Sequence, residues 1–144
     1  MLKTLKSIPL PVIPLLIYNI VVFATPAAQE GQAFVWDRAL PTIHLLSGGQ
    51  FTLTLGDLLT IFGLIFLFIE IIKSTRASSQ EIYEHMFSMG IFIIYLVEFI
   101  TVARCAHSVF FILTTIALID VVAGFMVTIG TSRRQLNVER DTGL

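Results

Sequence analysis

Cysteine occurs once in 144 residues, at Cys105, which excludes an intrachain disulfide, a thiolate metal cluster and a dithiol redox pair. Its reading is that of a small hydrophobe at a helix end. Charge is equally scarce: Asp, Glu, Lys and Arg make up 13% of the chain, the net charge is −1, and the nine Lys and Arg form no dense patch. Nucleic acid is thereby excluded as a partner, because neutralising phosphates takes clustered cations. Lysine stands only at positions 3, 6 and 73, after Leu, Leu and Ile, so no G-x-x-x-x-G-K-[ST] phosphate loop exists. Internal repeats and low-complexity segments are missing as well.

What abounds is apolar. The chain is 56% hydrophobic with a mean hydropathy of +0.87, outside the range of soluble domains, which need polar residues to cover their surface. The length fits one domain, residues 1–144. A helix crossing the hydrocarbon core needs about 20 largely apolar residues, since each backbone polar group there must be satisfied within the segment. Four stretches qualify: about Ile8 to Ala24, Leu55 to Ile72, Met86 to Ala103 and Val109 to Ile129. The expected fold is an all-α integral-membrane four-helix bundle. The first stretch also has the outline of a secretory signal peptide, with Lys3 and Lys6 ahead of an apolar run and small residues after it, but Pro26 spoils the nearest cleavage pattern. We therefore read it as a span, with Pro9, Pro11 and Pro14 in its first turns, where a missing amide donor costs least.

Lys3, Lys6, Lys73, Arg76, Arg133, Arg134 and Arg140 fall on one side of this arrangement and only Arg38 and Arg104 on the other. Cations favour the cytoplasmic side, so both termini are expected there, in a bacterial inner (cytoplasmic) membrane. Nothing in the sequence has the alternating short segments of an outer-membrane barrel.

The stretch Leu46-Ser47-Gly48-Gly49-Gln50 reads LSGGQ, the signature pentapeptide of ABC-transporter ATPases. That signature acts on a nucleotide held by a phosphate loop, and none is present; the longest extramembrane stretch, about Thr25 to Thr54, leaves no room for an ATPase domain. No nucleotide is expected, and LSGGQ reads as punctuation between helices. Pro41 to Ser47 is expected to form a short amphipathic helix in the outer loop, resting Ile43, Leu45 and Leu46 on the bilayer surface with Trp36 as an interfacial anchor. Gly48 and Gly49 would end it. Thr54 and Asp57 then give the N-cap spacing that starts the second span, and Ser78 and Glu81 the capping box that starts the third. The third helix is expected to run from Ser79 to Arg104, and a very short turn near Ala106 makes it an antiparallel hairpin with the fourth.

Spacings of three and four residues bring small and polar side chains to one face of each later helix: Gly56, Thr60, Gly63, Leu67, Glu70 and Ser74 on the second; Ser88, Ile91, Tyr95, Glu98, Val102 and Cys105 on the third; Thr114, Ala117, Asp120, Gly124, Thr128 and Thr131 on the fourth. Small residues let membrane helices approach and polar groups bond across the seam, so these faces are expected to form the interior, with Gly56, Gly63, Ala117 and Gly124 as the packing positions. Glu70 reads as interfacial, within reach of Lys73. Glu98 and Asp120 each need a partner, because a carboxylate near the bilayer centre costs about 2.5–3.5 kcal/mol. Antiparallel pairing about Ala106 puts Glu98 beside Thr114 and leaves the two acids about 9 Å apart along the axis. Tyr95 is the candidate donor to Asp120, Arg104 a possible reach toward an acid, and Asn19 a further member of the network.

One reading of these acids is a proton or cation relay through Asp120 and Glu98; the other is a hydrogen-bond network that fixes helix register or subunit contacts. The second is preferred, because a pathway needs polar groups through the whole membrane. His44 and His107 lie on the outer side and His85 at the inner interface, which leaves no pair at matched depth for haem ligation; a metal held by His44 and His107 would need further ligands. No cofactor or metal is expected, and no nucleophile–base constellation suggests an enzyme.

The run Phe51 to Leu59 (FTLTLGDLL), the exit Leu67 to Arg76 (LFIEIIKSTR) and the segment Ile119 to Phe125 (IDVVAGF) resemble small uncharacterised four-span inner-membrane proteins of proteobacteria, over roughly Phe51 to Arg134. The resemblance implies topology and location and carries no mechanism. The expected function is a non-enzymatic membrane protein whose partners are the lipid bilayer and either further copies of itself, as a homo-oligomer, or a larger membrane complex. A small proton or cation channel using Asp120 and Glu98 is the alternative, and a lipid or quinone site between helices a third reading.

Overall fold

The computed structural model describes residues 9–26, 33–74 and 81–141. Among these are four α-helices, α1 (Val12–Ala24), α2 (Leu55–Ser74), α3 (Glu81–Thr101) and α4 (Ser108–Asp141), and one short antiparallel pair of strands, β1 (Ile43–His44) and β2 (Gln50–Phe51), between α1 and α2. Single 3-10 turns at Val35–Asp37 and Ala103–Cys105 shape the two connections on that side. Two helices are long and apolar enough to cross a membrane: α2 and the first 20 residues of α4, Ser108–Val127. Val12–Ala24 and Met86–Thr101 are shorter apolar helices.

The boundaries follow from local chemistry. Pro9 and Pro11 leave Leu10 as the one amide donor of the three residues before α1, and single-turn bonds from Val12 and Ile13 to the carbonyls of Pro9 and Leu10 wind into the helix. At its other end the Thr25 amide and hydroxyl both donate to the Val21 carbonyl, and Pro26 disfavours a further helical turn. Helix α2 begins at a reciprocal cap: the Thr54 amide donates to Asp57 Oδ2 at 2.8 Å while the Asp57 amide donates to Thr54 Oγ1 at 3.1 Å. Two orphan donors are satisfied at once. Thr54→Ala is therefore expected to cost about 1 kcal/mol, seen as a drop of a few degrees in the thermal unfolding midpoint in detergent. The Ser78–Glu81 box falls outside the described residues.

Helix α4 is the hub. It packs most extensively against α3 and α2 and also touches α1. Its buried residues follow from that position: Phe110, Leu113, Ile116 and Ala117 are almost wholly enclosed. Two glycines let α2 approach its neighbours closely. A Cβ on Gly56 would collide with Val109 and stand 3.0 Å from the Trp36 carbonyl oxygen, and one on Gly63 would stand 2.9 Å from Leu113 and 3.2 Å from Ile116. Helix α1 adds Tyr18, whose ring stacks on Trp36 at 5.1 Å and meets Phe110 edge-on at 4.7 Å. Such arrangements suit the ring quadrupoles. The seam residues Gly56, Gly63, Leu67 and Glu70 of α2, Ser88 and Tyr95 of α3, and Thr114, Ala117, Asp120 and Gly124 of α4 are all buried.

Four expectations need correction. Residues 41–47 do not form an amphipathic helix; they belong to the β1–β2 hairpin, with Ile43 opposite Phe51 and His44 opposite Gln50. The reason is long-range pairing, since Leu40 donates to Leu53 and Ala39 bridges Thr54, an interaction that helix periodicity ignores. The LSGGQ segment supplies the loop: Gly48, at φ 81°, donates to the Leu45 carbonyl, and the Leu45 amide donates to Gly49. This is the pattern of a three-residue hairpin loop with a left-handed glycine. Trp36 is not an interfacial anchor but a core residue, 4% exposed, and its indole N–H has no hydrogen-bond partner among the described residues. Helix α3 ends at Thr101 and gives way to the 3-10 turn. Lastly, α4 does not stop near Ile129 but continues through the polar tail to Asp141, 34 residues in all.

Candidate functional site

The polar side chains of the helices divide into two tiers. The inner tier lies where α2, α3 and α4 meet around a cavity of about 20 Å³, lined by Glu70, Ile71 and Ser74 of α2, Ser88 of α3, and Asp120, Ala123 and Gly124 of α4. That volume admits a water molecule, and the lining provides polar partners for one. Ser88 and Asp120 face each other across this cavity. Glu70 reaches two donors from separate parts of the chain: Lys73 Nζ at 3.1 Å on its own helix, and the Leu10 amide at 3.3 Å. The solitary donor between two prolines is thus satisfied by a carboxylate 60 residues away. Because a buried polar group left without a partner costs about 1–3 kcal/mol, this bond ties the start of α1 to the end of α2.

The outer tier is built on α1 and α3. Asn19 Nδ2 donates to Glu98 Oε2 at 2.7 Å, and Asn19 Oδ1 lies 3.9 Å from Cys105 Sγ. Around it, Tyr18 donates to the Arg104 carbonyl at 3.0 Å, and the Arg104 guanidinium returns to the carbonyls of Val22 and Thr25 at 2.9 and 3.4 Å. Those carbonyls belong to the unsatisfied last turn of α1, where a cation is also favoured by the helix dipole. Cys105 sits in the connecting turn, fully enclosed; burial, and secondarily the Glu98 carboxylate, push its thiol up to about 11. At neutral pH it is a thiol with little nucleophilic character.

An apolar and aromatic layer separates the tiers. Tyr95, wholly buried, packs on Phe110 at 5.4 Å and donates its hydroxyl to the Pro11 carbonyl at 3.0 Å. Leu113 and Ala117 fill the same layer. Ser88 and Glu98 are ten residues apart on α3, about 15 Å along its axis. No family model, no curated protein and no solved structure matches the chain.

Several expected partnerships are therefore different. Tyr95 bonds Pro11 instead of Asp120, whose neighbours are Ser88 and Glu70. Glu70 faces the cavity as well as Lys73, so Asp120 shares its surroundings with Glu70 and not with Glu98. Arg104 reaches carbonyls of α1 and no acid. Thr114 is buried but donates within its own helix, to Phe110 at 2.8 Å. Asn19 does bond Glu98. His107 contacts Asp37 at 3.2 Å, while His44 stands exposed on the hairpin.

Sequence reasoning overlooked Tyr18. Its signal was present, since Pro11, Pro14, Leu15, Tyr18 and Val22 keep helical spacing and are all buried. The Leu10 amide carried no comparable signal. Its role depends on where α2 ends in space.

Proposed function

We propose that this is a non-enzymatic, four-span protein of the bacterial inner membrane, with both termini in the cytoplasm, that works by assembling with itself or as an accessory subunit of a larger membrane complex. The carrying observation is the separation of the two polar tiers by the Tyr95–Leu113–Ala117 layer, with each acid placed inside its own tier. Glu98 is held by Asn19 and Glu70 by Lys73 and Leu10, while Asp120 lies beside Ser88 and Glu70 at the cavity. Groups arranged in this way join helices to one another and set their register. They do not make a continuous path. Outward, the helices carry large apolar side chains such as Phe62, Phe68, Ile100 and Met126, as lipid contact requires. The shorter helices suit this topology because α1 and α3 run antiparallel to α2 and α4 between the same two ends, and α3 adds polar first turns to its apolar length. Lys73, beside the cavity, and the Arg-bearing tail of α4 then fall on the cytoplasmic side.

The cavity favours a second reading, a proton or cation conductor, now centred on Asp120 and Glu70 instead of Asp120 and Glu98. Two measurements separate the readings. Native-detergent mass measurement is expected to find a species larger than one chain, either a homo-oligomer or a complex with an identifiable membrane partner; an isolated monomer from gently solubilised membranes would count against assembly. In liposomes with a trapped pH dye, Asp120→Asn is expected to leave proton flux at the level of the unaltered protein while shifting its thermal stability. Flux that is present and vanishes with Asp120→Asn would establish the conductor.

A further inference from the structure

The hairpin between α1 and α2 has two unlike faces. Its register puts Ile43 opposite Phe51 and His44 opposite Gln50, and the hydroxyls of Thr42 and Thr52 meet at 2.7 Å. Side chains alternate between the faces of a strand, so Thr42, His44, Gln50 and Thr52 share one face, while Ile43, Leu45 and Phe51 share the other. The second face is exposed: Ile43 is 57% exposed, Leu45 49% and Phe51 45%, and Leu46 at the tip is 110% exposed. Every residue from Pro41 to Thr52 is exposed. About half of the surface of Ile43, Leu45 and Phe51 is thus left uncovered. A two-stranded hairpin in water is marginally stable at best, and one with an uncovered apolar face needs packing against something.

From this arrangement we infer that the hairpin lies flat on the bilayer, its Ile43–Leu45–Phe51 face in the boundary between headgroups and acyl chains and Leu46 inserted at the tip. The inference rests on the membrane reading above. Three observations select lipid as the occupant. No Asp, Glu, Lys or Arg occurs from Ala39 to Gly56, so the ribbon offers no charge to orient a protein partner and none that the acyl boundary would penalise. Its amphipathic pattern has the geometry of an interfacial element, one face apolar and the other bearing hydroxyl, imidazole and amide groups. Its root is fixed by the Thr54–Asp57 cap at the first turn of α2, at the end of an apolar helix of spanning length. There the chain leaves the hydrocarbon. A lipid surface also strengthens the hairpin's own hydrogen bonds by excluding water from one side.

Nitroxide labels read depth directly. Leu46→Cys, Leu45→Cys, Thr42→Cys and Phe62→Cys are introduced one at a time into the full chain, in phosphatidylcholine–phosphatidylglycerol nanodiscs. Cys105 is enclosed and its thiol largely protonated, so it resists labelling. Collisions with oxygen, which partitions into lipid, are compared with those of a water-soluble nickel chelate. Labels at 45 and 46 are expected to report depths of about 5–10 Å below the headgroup surface, label 42 to report water, and label 62 the acyl core. If 46 is as water-exposed as 42 while 62 reports the acyl core, the hairpin inference is overturned and the membrane reading stands. If 62 also reports water, the membrane reading falls with it. A label at 46 that is immobilised and shielded from both reagents would place the hairpin against protein, and this too overturns the inference.

Discussion

Phe110→Ala is expected to be the most damaging single truncation, lowering stability by about 3 kcal/mol and shifting the thermal midpoint in detergent accordingly. Phe110 is fully enclosed and touches aromatic partners on two other helices, Tyr18 of α1 at 4.7 Å and Tyr95 of α3 at 5.4 Å. Truncating a buried Phe in a soluble core costs about 3–5 kcal/mol, part from transfer out of water and part from the cavity left behind. On the membrane reading proposed above the transfer part shrinks, because lipid tails are as apolar as the site. The lower end of the range is therefore the appropriate one. The cavity part persists, since neither neighbour is free to collapse into the gap: the Tyr18 and Tyr95 hydroxyls are bonded to the carbonyls of Arg104 and Pro11. Phe110→Leu keeps most of the volume and is expected to cost less than half as much. Equal losses for Leu and Ala would mean that ring contacts, and not filled volume, hold the layer together.

Gly56→Val is expected to be nearly as severe, for the opposite reason. Its Cβ alone would collide with Val109 and press on the Trp36 carbonyl oxygen. A side-chain end can rotate away. A backbone carbonyl held in the 3-10 turn cannot, so the start of α2 must separate from both α4 and that turn. Overpacking of this kind costs about 1–3 kcal/mol or more, and the branched side chain leaves few rotamers with which to escape. Gly63→Ala meets only the flexible ends of Leu113 and Ile116, at 2.9 and 3.2 Å, and should be milder. Thermal unfolding of the two variants side by side checks the order. A Gly63 variant less stable than the Gly56 variant would contradict it, and would locate the tight crossing deeper along α2.

The ease with which the interior could be read varied with the range of the interactions involved. Spacing alone brought Gly56, Gly63, Leu67 and Glu70 to one face, and Ala117, Asp120 and Gly124 to another, because helix period and the need to enclose polar groups are local and compositional rules. The Thr54–Asp57 cap was legible for the same reason: its two partners are three residues apart. Pairings between helices were less accessible. Counting residues from the turn near Ala106 pairs Tyr95 with Asp120, but counting is blind to α1, whose Pro11 carbonyl takes that hydroxyl. Residues 41–47 read as a helix by sequence because Ile43, Leu45 and Leu46 satisfy either pattern over so short a run, and only pairing with residues 49–54 decides between them.

By itself the amino-acid sequence determined that the chain is mostly apolar helix, where α2 and α4 begin, which helix faces carry small and polar groups, and that no phosphate loop or intrachain disulfide can form; composition, capping and periodicity act over a few residues. Tertiary structure decided which acid meets which donor, that Glu70 joins Asp120 at one cavity while Glu98 pairs with Asn19, and that LSGGQ closes a ribbon. Those outcomes depend on the relative depth and rotation of four helices, which the packing of Phe110, Tyr18 and two glycines sets and no local pattern encodes.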